Sequence, residues 1–312
     1  MMRKLTFMMR ETSPRIMKVS PFPWPPTPSP RPGAGSKVCS LRSGDSSNSY
    51  FTVALFLLGT FLAGCAGVPV GDADVGRVEQ AVSRQAATSD AGQRAKVHTE
   101  LGHYYLQAGN YDIALERARI AIDADSGYAP AHNLMAQVYK ALIRNPLAEQ
   151  SFQRALQLAP GDPEINNDYG WFLCQTGKPK ESLAHFRRAI GNTLYQTPGK
   201  ALTNAGLCSL MIKDDRQAED FMLRAVRIDR ANLTALFWLA DIAYRSNRLA
   251  EARQIIKELH ARLDPTAESA WLALRIERKL GDREAEARFT GILHRKFRNS
   301  PEQQKLSRGE FD

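Results

Sequence analysis

Residues 165–190 read INNDYGWFLCQTGKPKESLAHFRRAI, and their spacing decides the fold. Gly170 is followed twelve residues later by another small residue, Ser182, and seven further on by Ala189, with the bulky Phe186 between them. Gln175-Thr176-Gly177-Lys178 separates the two halves, and its glycine suits the left-handed conformation that ends a helix. The pattern describes two antiparallel helices. They approach closely only where one side contributes Gly, Ala or Ser, and large residues fill the gaps beside them.

The same register recurs on both sides. Small residues stand at Gly102, Ala136, Gly170, Gly206 and Ala240, in steps of 34, 34, 36 and 34. Twelve positions after each comes Ala114, Ala148, Ser182, Ala218 or Ala252. Seven later come Ala121, Ala155, Ala189 and Ala225, then Leu259. Phe152, Phe186, Met222 and Ile256 fall between them, and Pro160 sits between repeats, where a helix must stop. Over roughly residues 95–266 this periodicity resembles the tetratricopeptide repeat. The resemblance implies an all-α, right-handed superhelical solenoid of about six helix-turn-helix repeats, at about 95–128, 129–162, 163–196, 199–232, 233–266 and 267–300. The last of these keeps the period loosely, with Trp271, Leu274, Gly281 and Leu293, but carries Glu286 where a small residue is expected. It reads as a degenerate cap with a polar outer face. Residues 301–312 are expected to fray, and the small, polar residues 65–94 to form a tether.

Ahead of the repeats, residues 50–64 read YFTVALFLLGTFLAG, uncharged and mostly apolar. They fall short of the ~20 residues that span a bilayer, and fit the apolar core of a secretory signal with Arg42 as its positive flank. Leu62-Ala63-Gly64-Cys65 resembles the bacterial lipobox, which implies cleavage before Cys65 and lipidation of its thiol. A non-lipidated signal and an uncleaved signal anchor are the alternatives. Ala66 follows the cysteine where an Asp would retain the protein elsewhere, so the resemblance points to the outer membrane, with the body facing the periplasm. Several acyl chains, at roughly 0.8 kcal/mol per buried methylene, hold firmly where one does not. Seven prolines between positions 21 and 32 favour an extended conformation with no packed fold. A translation start nearer residue 38 or 41 accounts for so long a leader.

Charge narrows the function. The chain carries a formal +9, but six units lie in residues 1–64, where eight Lys/Arg face Glu11 and Asp45. The remainder is close to neutral, with no concentrated basic face of the kind that displaces counterions from nucleic acid. His98, His103, His132, His185, His260 and His294 form neither HExxH nor a His/Cys metal cluster. Neither a glycine-rich phosphate loop nor a GxSxG elbow is present. The expectation is a protein-binding module rather than an enzyme, with no catalytic residue, metal, cofactor, nucleic acid or small-molecule substrate.

Counting positions along the first helix of each repeat places Lys96, Thr99, His103 and Leu106, then Asn133, Gln137 and Lys140, on an inner groove. Asn167 and Trp171 follow, then Leu207 and Leu210, then Phe237, Asp241 and Tyr244. Such a mixed apolar and amide-rich surface suits an extended peptide or a helix, with Trp171 and Phe237 as anchors. Packing along the seams between repeats is the competing reading for each of them. Cys174 and Cys208 stand at positions twelve and ten of consecutive first helices, an offset of only ~3 Å along the axis. A bridge needs Cα atoms within about 7 Å, against ~8–10 Å between packed helix axes. A disulfide and a pair of buried free thiols both fit that spacing.

Three segments carry a narrower resemblance: Asn166-Asn167-Asp168-Tyr169-Gly170-Trp171-Phe172-Leu173-Cys174, then Tyr195-Gln196-Thr197-Pro198-Gly199-Lys200-Ala201, then Asn204-Ala205-Gly206-Leu207-Cys208. Together with the signal, lipobox and repeats, over residues 65–300, they resemble the type IV pilus biogenesis/stability lipoproteins of the PilW/PilF family. The Pro-rich first forty residues depart from that layout. The resemblance implies a pilotin that binds the pilus secretin, brings it to the outer membrane and promotes its multimerisation. A periplasmic adaptor that recruits envelope hydrolases, or a subunit bridging an outer-membrane assembly machine, would use the same fold.

Overall fold

The computed structural model describes residues 80–311, and among them thirteen α-helices and one 3-10 turn, Val82–Arg84. The helices run as consecutive antiparallel pairs. These are α1 (Asp90–Gln107) with α2 (Tyr111–Ala124), α3 (Ala129–Ala141) with α4 (Asn145–Leu158), and α5 (Pro163–Gln175) with α6 (Pro179–Gly191). They continue with α7 (Pro198–Met211) and α8 (Asp215–Ile228), α9 (Leu233–Arg245) and α10 (Leu249–His260), and α11 (Ala267–Leu280) and α12 (Arg283–Lys296). A last helix, α13 (Pro301–Arg308), follows. Each pair packs on the next, α2 against α3 and so on to α10 against α11, which makes a solenoid of six tetratricopeptide pairs. The leader, the apolar stretch before Cys65, Cys65 itself and residues 66–79 of the expected tether lie outside the described residues.

Local chemistry fixes the helix ends. Proline occupies the first turn of α3, α4, α5, α6, α7 and α13, where its missing N–H costs nothing. The turn inside each pair uses one left-handed residue, at Gly109, Ile143, Gly177, Lys213, Asn247 and Gly281. Those positions repeat the 34, 34, 36, 34, 34 spacing, so the left-handed turn belongs to the repeat and not to glycine alone.

Close approach explains the small residues. A methyl built on Gly170 would lie 3.0 Å from the ring of Phe186, and one on Gly206 would lie 2.7 Å from Met222 Cε. Ala136, Ala148, Ala218, Ala240 and Ala252 hold the equivalent seams fully buried. Phe152, Phe186, Met222 and Ile256 fill the gaps between them, also buried.

Both ends differ from expectation. Residues 80–94 are not a tether. The chain enters on the buried Ala81, and α1 already begins at Asp90, capped by Ser89. Asp162 caps α5 with one carboxylate oxygen and has the other free for a remote donor, so the Val82 N–H donates to it at 2.7 Å. Ser83 and Arg84 donate to Glu164 in the next turn. Residues 301–308 do not fray either. Ser300 caps α13 and Gly309 closes it in the left-handed region, while Leu306 and Phe311 pack against the cluster of Ala270, Trp271, Leu274 and Leu293. The sixth pair is therefore not the end of the stack. Its buried small residue is Ala285, and Glu286 turns outward to Arg278 at 2.8 Å.

Candidate functional site

The first helices of neighbouring pairs touch one another directly, α1 with α3, α3 with α5, α5 with α7 and α9 with α11. A layer whose helices come close is the inside of a curve, so these helices form the groove wall.

At its centre stands a carboxylate. Asp168 of α5 accepts hydrogen bonds on Oδ2 from Asn133 Nδ2 at 3.0 Å and Gln137 Nε2 at 2.9 Å, both on α3. Its Oδ1 accepts from Asn167 Nδ2 at 3.1 Å and from Lys200 Nζ of α7 at 3.2 Å. Asn204, one turn beyond Lys200, donates to Asn167 Oδ1 at 3.0 Å. One polar chain thus runs across three repeats. Burial alone would raise the Asp168 carboxyl, but the Lys200 charge and the Asn133 hydrogen bond win and hold it below its usual value. The Asp168 charge lifts the Lys200 ammonium in return. Burial pulls down the Lys140 ammonium, helped by repulsion from Lys200 and opposed by Asp168. Burial likewise lowers the His103 imidazole, against the pull of Asp168.

Beneath this network Cys174 of α5 and Cys208 of α7 are joined by a disulfide, Cα to Cα 5.9 Å, with both residues fully buried. The bridge ties the helix that carries Asp168 to the one that carries Lys200 and Asn204.

The residues expected to line the groove separate into three groups. Thr99 is buried and its hydroxyl donates to the Ala95 carbonyl within α1 at 2.8 Å, so it does not face a ligand. Asn133 and Asn167 are buried too, because they hold Asp168 and Asn204 rather than meeting solvent. His103, Gln137, Trp171, Leu207 and Phe237 are half-buried along the wall. Trp171 and Leu207 rest on the core around the disulfide, and Phe237 meets Trp238 edge to face at 5.2 Å. Counting inward positions missed Asp168, Lys200 and Asn204. The readable signal was two polar pairs four residues apart, Asn133/Gln137 and Lys200/Asn204, flanking an acid on the helix between them.

The Asp168 charge is already satisfied by four donors. Asn133 Oδ1 is a buried acceptor without a partner among the described residues, and Lys140 has no carboxylate within ion-pair distance there. Lys140, beside the half-exposed Trp171 and Leu207, offers a cation and apolar contacts to an extended peptide. No three His, Cys, Asp or Glu side chains come together as a metal site among the described residues, and no helix there is long and apolar enough to cross a membrane.

Comparison with known proteins agrees with the geometry. The tetratricopeptide-repeat family model matches residues 99–163, 133–201 and 216–268, together half of the chain. The type IV pilus assembly protein PilF of Pseudomonas aeruginosa is 28% identical over 252 residues, covering 81% of this chain and 96% of PilF. The solved structure of Pseudomonas aeruginosa PilF superposes with a TM-score of 0.67 at 26% identity, over 71% of this chain and 100% of that one. PilW, described as a widely conserved type IV pilus biogenesis factor, gives a TM-score of 0.64 at 29% identity, over 69% and 99%.

Proposed function

Because this chain belongs to the tetratricopeptide-repeat family and is homologous to PilF and PilW, we propose that it serves type IV pilus biogenesis as a pilotin, an outer-membrane lipoprotein that binds the pilus secretin. The observation that carries the reading is the extent of the likeness. It spans nearly all of PilF and 81% of this chain, well beyond the residues that the repeat pattern alone would align. The lipobox-like sequence ending at Cys65 supports an anchor, with acylation as the address. The groove around Asp168, Lys140 and Trp171 supports a peptide grip, through which a secretin segment is carried to its membrane and held while subunits multimerise.

The test is a deletion in the parent bacterium, complemented in trans. Denaturant-resistant secretin multimers, surface pili and twitching should fall in the deletion strain and return with the wild-type gene. They should return poorly with Cys65→Ser, and poorly with a Lys140→Glu/Trp171→Ala double variant that still reaches the membrane. Normal secretin rings in the deletion strain would refute the proposal.

A further inference from the structure

A second recognition surface lies at the far end of the same helix layer. Tyr244 of α9, itself buried, is covered by two cations of α11: the Arg275 guanidinium lies 4.4 Å and Lys279 Nζ 4.5 Å from the ring centroid. Neither cation has a carboxylate partner among the described residues. After Gly309 turns α13 back on itself, Phe311 lands on this surface. Its ring stacks on Trp271 at 5.6 Å, the Arg278 guanidinium lies 3.8 Å from the ring centroid, and its backbone carbonyl accepts from Arg275 Nε at 2.9 Å. Tyr244, Arg275, Arg278, Lys279 and Phe311 border a cleft of about 270 Å³.

Each group here reads a different part of a peptide. Arg275 reads a backbone carbonyl, and Trp271 with Arg278 reads an aromatic ring. The positive charge of Arg275 and Lys279 over a low-dielectric aromatic floor meets no carboxylate among the described residues and suits one carried by a ligand. The chain's own residues 309–311, Gly-Glu-Phe, supply the ring and the carbonyl, while Glu310 pairs with Arg308 rather than with Arg275 or Lys279.

We propose that this cleft is a second peptide-docking site, for a partner segment that carries an aromatic residue beside acidic ones, and that residues 309–311 occupy it as a self-ligand which the partner displaces. The site is separate from the Asp168 groove, and the proposal does not depend on the secretin reading.

Fluorescence anisotropy on the purified full chain tests it. The probe is a labelled, amidated Gly-Glu-Phe-Glu-Glu peptide, with Gly-Gln-Phe-Gln-Gln as control. Phe311→Ala should bind the acidic probe at least tenfold more tightly than wild type. Adding Arg275→Gln, exchanging the probe for its amide control, or raising the salt should each remove most of that gain. Phe311→Ser, which removes the same ring without touching Trp271, Arg275 or Arg278, gives a second opened form, and a cooperative thermal melt verifies that both variants are folded. Equal binding by wild type and both opened forms overturns the proposal, as does no binding by any of them. Capture of phosphatidylglycerol vesicles instead of the peptide, lost with Arg275→Gln, overturns it in favour of a lipid surface.

Discussion

Asp168→Asn exchanges one oxygen for an amide nitrogen and removes one charge from the centre of the groove. Four donors converge on that carboxylate, and its side chain is only 17% exposed. The amide keeps a single acceptor oxygen and turns its own donor toward the remaining donors, so in either orientation two of the four lose their acceptor. A buried donor stripped of its acceptor costs ~1–3 kcal/mol, and removing one partner from a buried ion pair costs ~3–5 kcal/mol. Lys200 is 48% exposed and recovers part of its loss in water, which sets the expectation at the lower end, about 3 kcal/mol. The penalty falls on the seam of α3, α5 and α7, and in a repeat array it transmits mainly to neighbouring pairs. The dependence on pH has a definite sign. The folded carboxyl lies below its unfolded value, so its contribution is full above the unfolded pKa of ~3.9 and drains away as pH falls through the folded value. Urea unfolding followed by circular dichroism should show a constant gap between wild type and variant from pH 8 to pH 5, narrowing below about pH 4. A gap under 1 kcal/mol at pH 7, or one that stays constant on acidification, refutes the assignment of Asp168 as the charged hub.

Three further outcomes follow from the described geometry. Ile143 is a β-branched residue held at φ +58° while 81% exposed, so Ile143→Gly sheds roughly 1–2 kcal/mol of left-handed strain against about 0.5–1 kcal/mol of glycine entropy, and should raise the melting temperature. Gly177→Ala at φ +89° should lower it, and shifts of the same sign in the two variants would sink the repeat-wide turn rule. Reducing the Cys174–Cys208 bridge reopens a separation of 34 residues and should cost about 3.5 kcal/mol; a urea midpoint unmoved by phosphine reductant argues against that role. Glu277, 3% exposed in its side chain and paired with Arg253 of α10, joins the fifth and sixth pairs. Glu277→Ala should therefore cost about 3 kcal/mol and expose the amides of α11 and α12 to hydrogen exchange before those of α5 and α7.

The repeats were legible in the sequence because their cause is steric and local. A methyl added at Gly170 would meet the Phe186 ring at 3.0 Å, tighter than ordinary contact, so the position favours the smallest residues and the 34-residue period shows through other changes. The ends were illegible for the opposite reason. The segment before α1 is ordered by the second oxygen of Asp162, eighty residues away, and α13 lies beyond the last repeat, where the period gives no guidance. Left-handed turns at Ile143 and Lys213 were equally hidden, since glycine and, less often, asparagine, as at Asn247, announce them.

The groove was half legible, and the missing half changes what it can bind. Positions counted from the repeat placed amides on the wall, but several of those amides are consumed in holding Asp168, whose charge is cancelled inside the protein. A partner segment therefore meets no free acid at the centre. It meets an ammonium at Lys140 that burial has made easier to neutralise. A charged partner side chain at that point would be useful only as an anion beside Lys140, because any cation there would face two ammonium groups. If the groove grips a peptide as proposed, its selectivity rests on rejecting basic segments as much as on accepting others, and Lys140→Glu should reverse it rather than merely weaken it. Paired pull-downs with acidic and basic versions of one labelled peptide would show the reversal, and equal retention of both by wild type would rule it out.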